Sequence, residues 1–87
     1  MRITAEMSLY PLQSDYIPVI KGFIEKLKQR DDIKIFTSTT STQINGEFDA
    51  VNCAITEAME MSFKAFKQQI LVVKYLNGDI PVGQHNE

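Results

Sequence analysis

Six small hydroxyl side chains in succession, Thr37, Ser38, Thr39, Thr40, Ser41 and Thr42, are the densest group of hydrogen-bonding residues in this chain of 87 residues. Hydroxyls donate and accept without carrying net charge, which suits a heteroaromatic ligand with ring nitrogens and an amino group. Threonine is also a good strand residue and serine a good turn residue, so the same run reads equally as a plain hairpin. Other reactive types are sparse. Cys53 and His85 stand alone in their kinds. Cys53 falls one step from the apolar stripe of a helix, as a small packed side chain would, and His85 lies in a tail. One cysteine excludes an intrachain disulfide, and with one histidine it excludes a structural zinc site within a single chain. Glu57 and Glu60 are three apart, close enough on a helix to pair for acid/base work, but they fall on its wet face and read as solvated. There is no GxGxxG, P-loop or HExxH. These residues give no catalytic arrangement, and the expectation is a protein that is not an enzyme, with no catalytic cofactor and no metal.

The elements that must position the hydroxyls follow from periodicity. Ile3, Ala5, Met7 and Leu9 alternate with Thr4, Glu6, Ser8 and Tyr10, a period of two that predicts a strand over Arg2 to Tyr10, ended by Pro11. From Ser14 the spacing becomes three and four, through Ile17, Ile20, Ile24 and Leu27 with Phe23 beside them. This predicts an amphipathic helix capped by Ser14 or Asp15, with Pro18 in its first turn. Gly22 inside it costs about 1 kcal/mol relative to alanine, so it is expected to mark close packing or the approach of a ligand.

A β-branched stretch, Ile33 to Thr37, turns through Ser38 to Thr40 and returns as a strand from Thr40 to Asn45, stopped by Asn45-Gly46. A second helix follows, with Phe48, Val51, Ile55, Ala58 and Ser62 as its inner stripe and Asp49 at the positive end of its dipole. Gln69 to Leu76 closes the set as a strand with apolar groups on both faces. Residues 1–79 are thus one domain, and 80–87 a loose C-terminal arm.

The order strand, helix, strand, strand, helix, strand predicts an α+β fold, the ferredoxin-like βαββαβ sandwich: a four-stranded antiparallel sheet with two helices on one face. Its other face would display Thr4, Glu6, Ser8, Tyr10, Ser41, Gln43 and Asn45, a surface suited to self-association. Versions of this fold that bind RNA want aromatic residues on that face and basic flanks, and Tyr10 alone meets the description. Acylphosphatase-type chemistry would need an arginine in the loop after the first strand, and Pro11 to Asp15 contains none.

Composition narrows the classes further. Hydrophobic residues are 44% and charged residues 23%, near the globular average, so the chain is not a disordered tail. A net charge of −2 argues against nucleic-acid binding by phosphate neutralisation. The longest apolar run, Ile70 to Val73, is far too short for a membrane span, and MRITAEMSLYPL has no apolar core of a signal peptide. A cytoplasmic protein is the expectation that remains. At this length roughly 64% of the unfolded surface is buried on folding, enough for one thin core, so a small-molecule site is shallow or completed by another subunit.

The segments AEMSLYPL (Ala5 to Leu12), STQINGEFDAV (Ser41 to Val51) and VVKYLNGD (Val72 to Asp79) together resemble the YkoF-like thiamine-binding family. The likeness runs from about Ile3 to Asp79. It implies the same ferredoxin-like sandwich, binding of thiamine or its hydroxymethylpyrimidine moiety without chemistry on it, and association through the sheets into dimers or tetramers. It places the ligand-contacting positions at Leu9 within Ser8-Leu9-Tyr10 and at Thr42 within Ser41-Thr42. The reading of the residues themselves adds that Gly22 or a neighbour on the first helix would leave the ligand room. Tandem members carry two copies, whereas this sequence has one, so a second subunit would supply what the second copy contributes. The competing expectation is a regulatory or assembly module that acts through its open sheet face and ignores thiamine.

Overall fold

The structure, a computed structural model, describes residues 1–79; the expected arm at 80–87, with His85, lies outside them. The elements are β1 (Arg2–Pro11), α1 (Ile17–Lys28), β2 (Ile33–Thr37), β3 (Thr42–Glu47), α2 (Phe48–Ala65) and β4 (Gln69–Leu76). The strands form one antiparallel sheet in the order β2-β3-β1-β4, the ferredoxin-like α+β arrangement that the element order predicts.

Alternation decides what each face of β1 does. Ile3, Ala5 and Met7 are buried against Phe23 and Leu27 of α1 and Val51, Ala54, Ile55 and Ala58 of α2, with Ile33 and Ile44 completing the core. On β4, Leu71 and Val73 pack against this core, while Ile70, Val72 and Leu76 are exposed on the other side.

Several local expectations change. Helix α1 begins at Ile17, with Tyr16 as its cap residue and no side-chain cap from Ser14 or Asp15. A start at Asp15 would put Pro18 where the first intrahelical N–H is needed; starting later places it among positions whose N–H is free anyway. The inner stripe of α1 is Val19, Phe23 and Leu27, and Ile17 on the predicted stripe is 65% exposed. Spacing alone admits both stripes, and the contacts select the one that faces the sheet. Gly22 is neither closely packed nor beside a cavity: a Cβ there would meet nothing within 4 Å.

Strand β3 runs from Thr42 to Glu47, two residues later than the spacing predicts. Gly46 is not its stop. It pairs with both Ile3 and Ile33, and a Cβ on it would lie 3.1 Å from the Asp32 carbonyl oxygen, so the close approach of β2 requires glycine there. The Phe48 N–H then bonds the Met1 carbonyl at 2.8 Å, turning the chain directly into α2. This leaves Phe48 exposed rather than on the inner stripe. Pro11 does not end β1 early either; it pairs with Gln69 as the last residue of the strand.

The polar face of β1 is not uniformly wet. Thr4 is 4% and Asn45 3% exposed, because Gly78 and Asp79 fold back over them. The Thr4 hydroxyl donates to the Gly78 carbonyl at 3.1 Å, the Asn45 amide donates to Asp79 at 2.5 Å, and Arg2 Nε donates to Asp79 at 3.0 Å. The Asn45 contact first and the Arg2 guanidinium second hold the Asp79 carboxyl below its ordinary value.

Candidate functional site

The β1–β3 ladder stops at the pair Met7–Thr42, whereas the β1–β4 ladder continues to Pro11–Gln69. Beyond Met7, β1 therefore has no strand on its β3 side. The loop Ser38 to Ser41 lies there instead, and a small cavity of about 100 Å³ opens between β1, the loop and α1. Met7 and Leu9 of β1 and Ile20, Phe23 and Ile24 of α1 form its apolar walls, and Ser38 to Thr42 its polar rim. No charged side chain lines it.

The hydroxyls of the rim divide into two groups. Ser38 folds the loop on itself, its Oγ donating to the Ser41 carbonyl at 3.1 Å and accepting from the Ser41 N–H at 3.3 Å. The Ser41 hydroxyl donates to Glu6 at 3.0 Å, and the Ser8 hydroxyl donates to the Thr40 carbonyl at 3.2 Å. These groups are committed to the fold. The hydroxyls of Thr39, Thr40 and Thr42 have no bond among the described residues; Thr39 and Thr40 are exposed, whereas Thr42 is 7% exposed, and no enclosed polar side-chain atom is left unpaired. The Thr42 hydroxyl therefore faces the open space of the cavity.

Of the residues singled out in the sequence, Leu9, Thr42 and Ser41 line the cavity together. Ser8 and Tyr10 lie on the opposite sheet face: Ser8 ties down the loop and Tyr10 is exposed. Gly22 is not part of the lining. Sequence reasoning did not name Met7, Ile20, Phe23 or Ile24 as site residues, because each satisfies a core or helix pattern equally well. Ile20 and Ile24 stood on the stripe that spacing predicts for α1, and the contacts leave that stripe beside the one that faces the sheet.

Larger surface depressions exist elsewhere. One of them, about 630 Å³, lies at the end of α2 among Leu12, Phe63, Phe66 and Ile70, and is open. One of its polar side chains, Gln69, is already bonded to Ser62 by both ends of its amide. The small cavity is the one that combines enclosing apolar walls with an uncommitted hydroxyl.

The other chemical candidates separate. Cys53 is exposed rather than packed, its Sγ 3.5 Å from Glu57. Glu57 pairs with Arg30 at 2.9 Å and Glu60 with Lys64 at 3.1 Å, so the two carboxylates have separate partners. Arg30 also grips Asp32 in two bonds of 2.8 and 3.0 Å, which raises the guanidinium further above its already high value. This cluster staples the turn after α1 to α2.

A family model, the YkoF-related family, matches residues 2–81. The chain belongs to this family. Among solved structures, the YkoF-related chain is similar to a protein of Streptococcus pneumoniae, at 24% identity and TM-score 0.84, covering 92% of this chain and 90% of that one. It is also similar to a Thermotoga maritima protein assigned provisionally to thiamine biosynthesis or salvage, at 21% identity and TM-score 0.76 over 86% and 82% of the two chains. A Methanocaldococcus jannascii protein of unassigned function has 24% identity and TM-score 0.76 over 99% and 87%. At these identities the likenesses establish the fold. No curated protein matches the chain. Among the described residues, no helix is long and apolar enough to cross a membrane.

Proposed function

We propose that this YkoF-related chain binds thiamine or its hydroxymethylpyrimidine moiety in the cytoplasm, without turning it over, as a homo-oligomer engaged in vitamin salvage, transport or buffering. The observation that carries this reading is the uncommitted Thr42 hydroxyl at the edge of a cavity walled by Met7, Leu9 and Phe23. Pockets for drug-sized ligands hold about 300–1,000 Å³. A cavity of about 100 Å³ suits one small ring. The pyrimidine is neutral, flat and amino-bearing, so it enters the slot and bonds Thr42. The thiazolium of intact thiamine carries a permanent charge, which the uncharged lining would not compensate, so it stays at the mouth. No charged side chain lines the cavity, and the one carboxylate beside a rim hydroxyl, Glu6 on Ser41, lies on the far side of the sheet, which favours binding over catalysis. The provisional thiamine assignment of the Thermotoga maritima protein agrees with this reading.

Self-association is assigned to the open sheet face, where Phe36, Ile70, Val72 and Leu76 are exposed. The same residues favour a second reading, in which the domain acts through this face as an assembly or regulatory module and takes no thiamine ligand. A calorimetric titration with thiamine, hydroxymethylpyrimidine and the thiazole half, beside a light-scattering mass, separates the two. Saturable heat with the pyrimidine-bearing compounds alone supports the binder. A stable oligomer that gives no heat at millimolar ligand refutes it and leaves the assembly module.

A further inference from the structure

Two side chains on the sheet face opposite the cavity, Ser8 and Glu6, bond its polar rim, whose ends are closed by the pair Thr37–Thr42. Past the pair Met7–Thr42, no ladder bond joins β1 to the chain that runs back towards β2. Within the loop, Ser38 bonds the Ser41 main chain three ways, through its own N–H at 2.8 Å and its hydroxyl at 3.1 and 3.3 Å. Those bonds give the loop its shape but not its place. Its place on β1 comes from the Ser8 hydroxyl on the Thr40 carbonyl and from the Glu6 carboxylate accepting the Ser41 hydroxyl at 3.0 Å. The second is charge-assisted and therefore the stronger of the two.

We infer that Glu6 is a positioning residue for the binding site, holding the rim loop against β1 from the far side of the sheet. The inference rests on the reading of the cavity as a ligand site and adds to it the group that sets its geometry. Thr42 itself is held by its pairs with Met7 and Thr37, so the Glu6 bond sets the position of the rest of the rim, Ser38 to Ser41, beside the Thr42 hydroxyl. Hydrogen bonds weaken steeply with angle and distance, so a small displacement of that rim is enough to open the slot and weaken the ligand's contacts. Glu6 stands between Gln43 of β3 and Lys74 of β4 on the open face.

The test compares Glu6→Ala with Glu6→Gln, which keeps an acceptor oxygen at the same reach. Amide hydrogen exchange of residues 39–41 is measured without ligand, and hydroxymethylpyrimidine is titrated calorimetrically. The alanine variant is expected to exchange about tenfold faster in the loop and to bind about tenfold more weakly, the scale of one charge-assisted bond. The glutamine variant, which keeps the acceptor but not its charge, is expected to fall between the alanine variant and the parent, about threefold from the parent in both. Unchanged loop exchange in Glu6→Ala, or equal losses in the two variants, overturns the inference. Faster exchange with unchanged affinity overturns it as well. If the parent protein itself fails to bind the pyrimidine, the ligand reading falls, while the exchange comparison still decides whether Glu6 holds the loop.

Discussion

Replacing Thr42 by valine keeps the shape of the side chain and removes one hydroxyl, and the structure assigns opposite consequences to the free and bound protein. In the free protein the hydroxyl has no partner among the described residues, so its loss orphans nothing. Stability should change by less than about 0.5 kcal/mol, the range of a substitution that breaks no contact. In the complex the same loss removes a hydrogen bond and leaves a polar group of the ligand facing a methyl. That costs about 1–3 kcal/mol, or about 5- to 150-fold in Kd. At ligand one hundred times the parent Kd, binding stabilises the fold by about 2.7 kcal/mol. For a domain of this size that raises Tm by about 11–22 °C. A variant binding tenfold more weakly, at the same ligand concentration, retains about 1.4 kcal/mol and roughly half the shift. Thermal melts with and without hydroxymethylpyrimidine, and a calorimetric Kd, measure both quantities on one sample. The reasoning is refuted if Thr42→Val binds as tightly as the parent. It is equally refuted if the free variant loses more than about 1 kcal/mol, since that would mean the hydroxyl had a structural partner.

Three further outcomes are expected. Gly22→Ala adds a methyl in open space in the middle of α1. It should stabilise by about 0.5–1 kcal/mol and raise Tm by about 2–8 °C, with no change in ligand affinity, by melts and titration. Asp79 has its carboxyl held down in the folded state, by Asn45 first and Arg2 second. Its contribution is therefore fully present above the ordinary carboxylate pKa and is lost as pH falls below about 4, through the lowered value. Urea midpoints measured across that window should show a shallower acid loss in Asp79→Asn than in the parent. Finally, Val72→Lys puts a charge in the exposed apolar strip of β4, opposite Ser8. If the open face is the self-association surface, light scattering should show a lower mass while the circular dichroism spectrum and pyrimidine affinity of the monomer persist; an unchanged mass would move the interface elsewhere.

The sequence by itself determined the element order, the inward face of β1 and the apolar character of both sides of β4, because those follow from period two or period 3.6 and need no knowledge of neighbours. It also placed the hydroxyl run beside the first strand, while Leu9 and Thr42 were marked only by the resemblance to the family. It could not choose between two apolar stripes on α1, since Ile17-Ile20-Ile24 and Val19-Phe23-Leu27 both satisfy helical spacing; only contact with the sheet selects the second and turns Ile20 and Ile24 towards the cavity. Nor could it tell that Ser8, Ser38 and Ser41 spend their hydroxyls on the loop while Thr42 keeps its own, because hydrogen-bond partners 32 and 35 residues apart are set by register. The burial of Thr4 and Asn45 on the polar face depends likewise on Gly78 and Asp79 returning over them. Residue type fixed which groups were able to bond. The end of one ladder at Met7–Thr42 decided where the enclosed, unbonded hydroxyl of Thr42 meets the cavity.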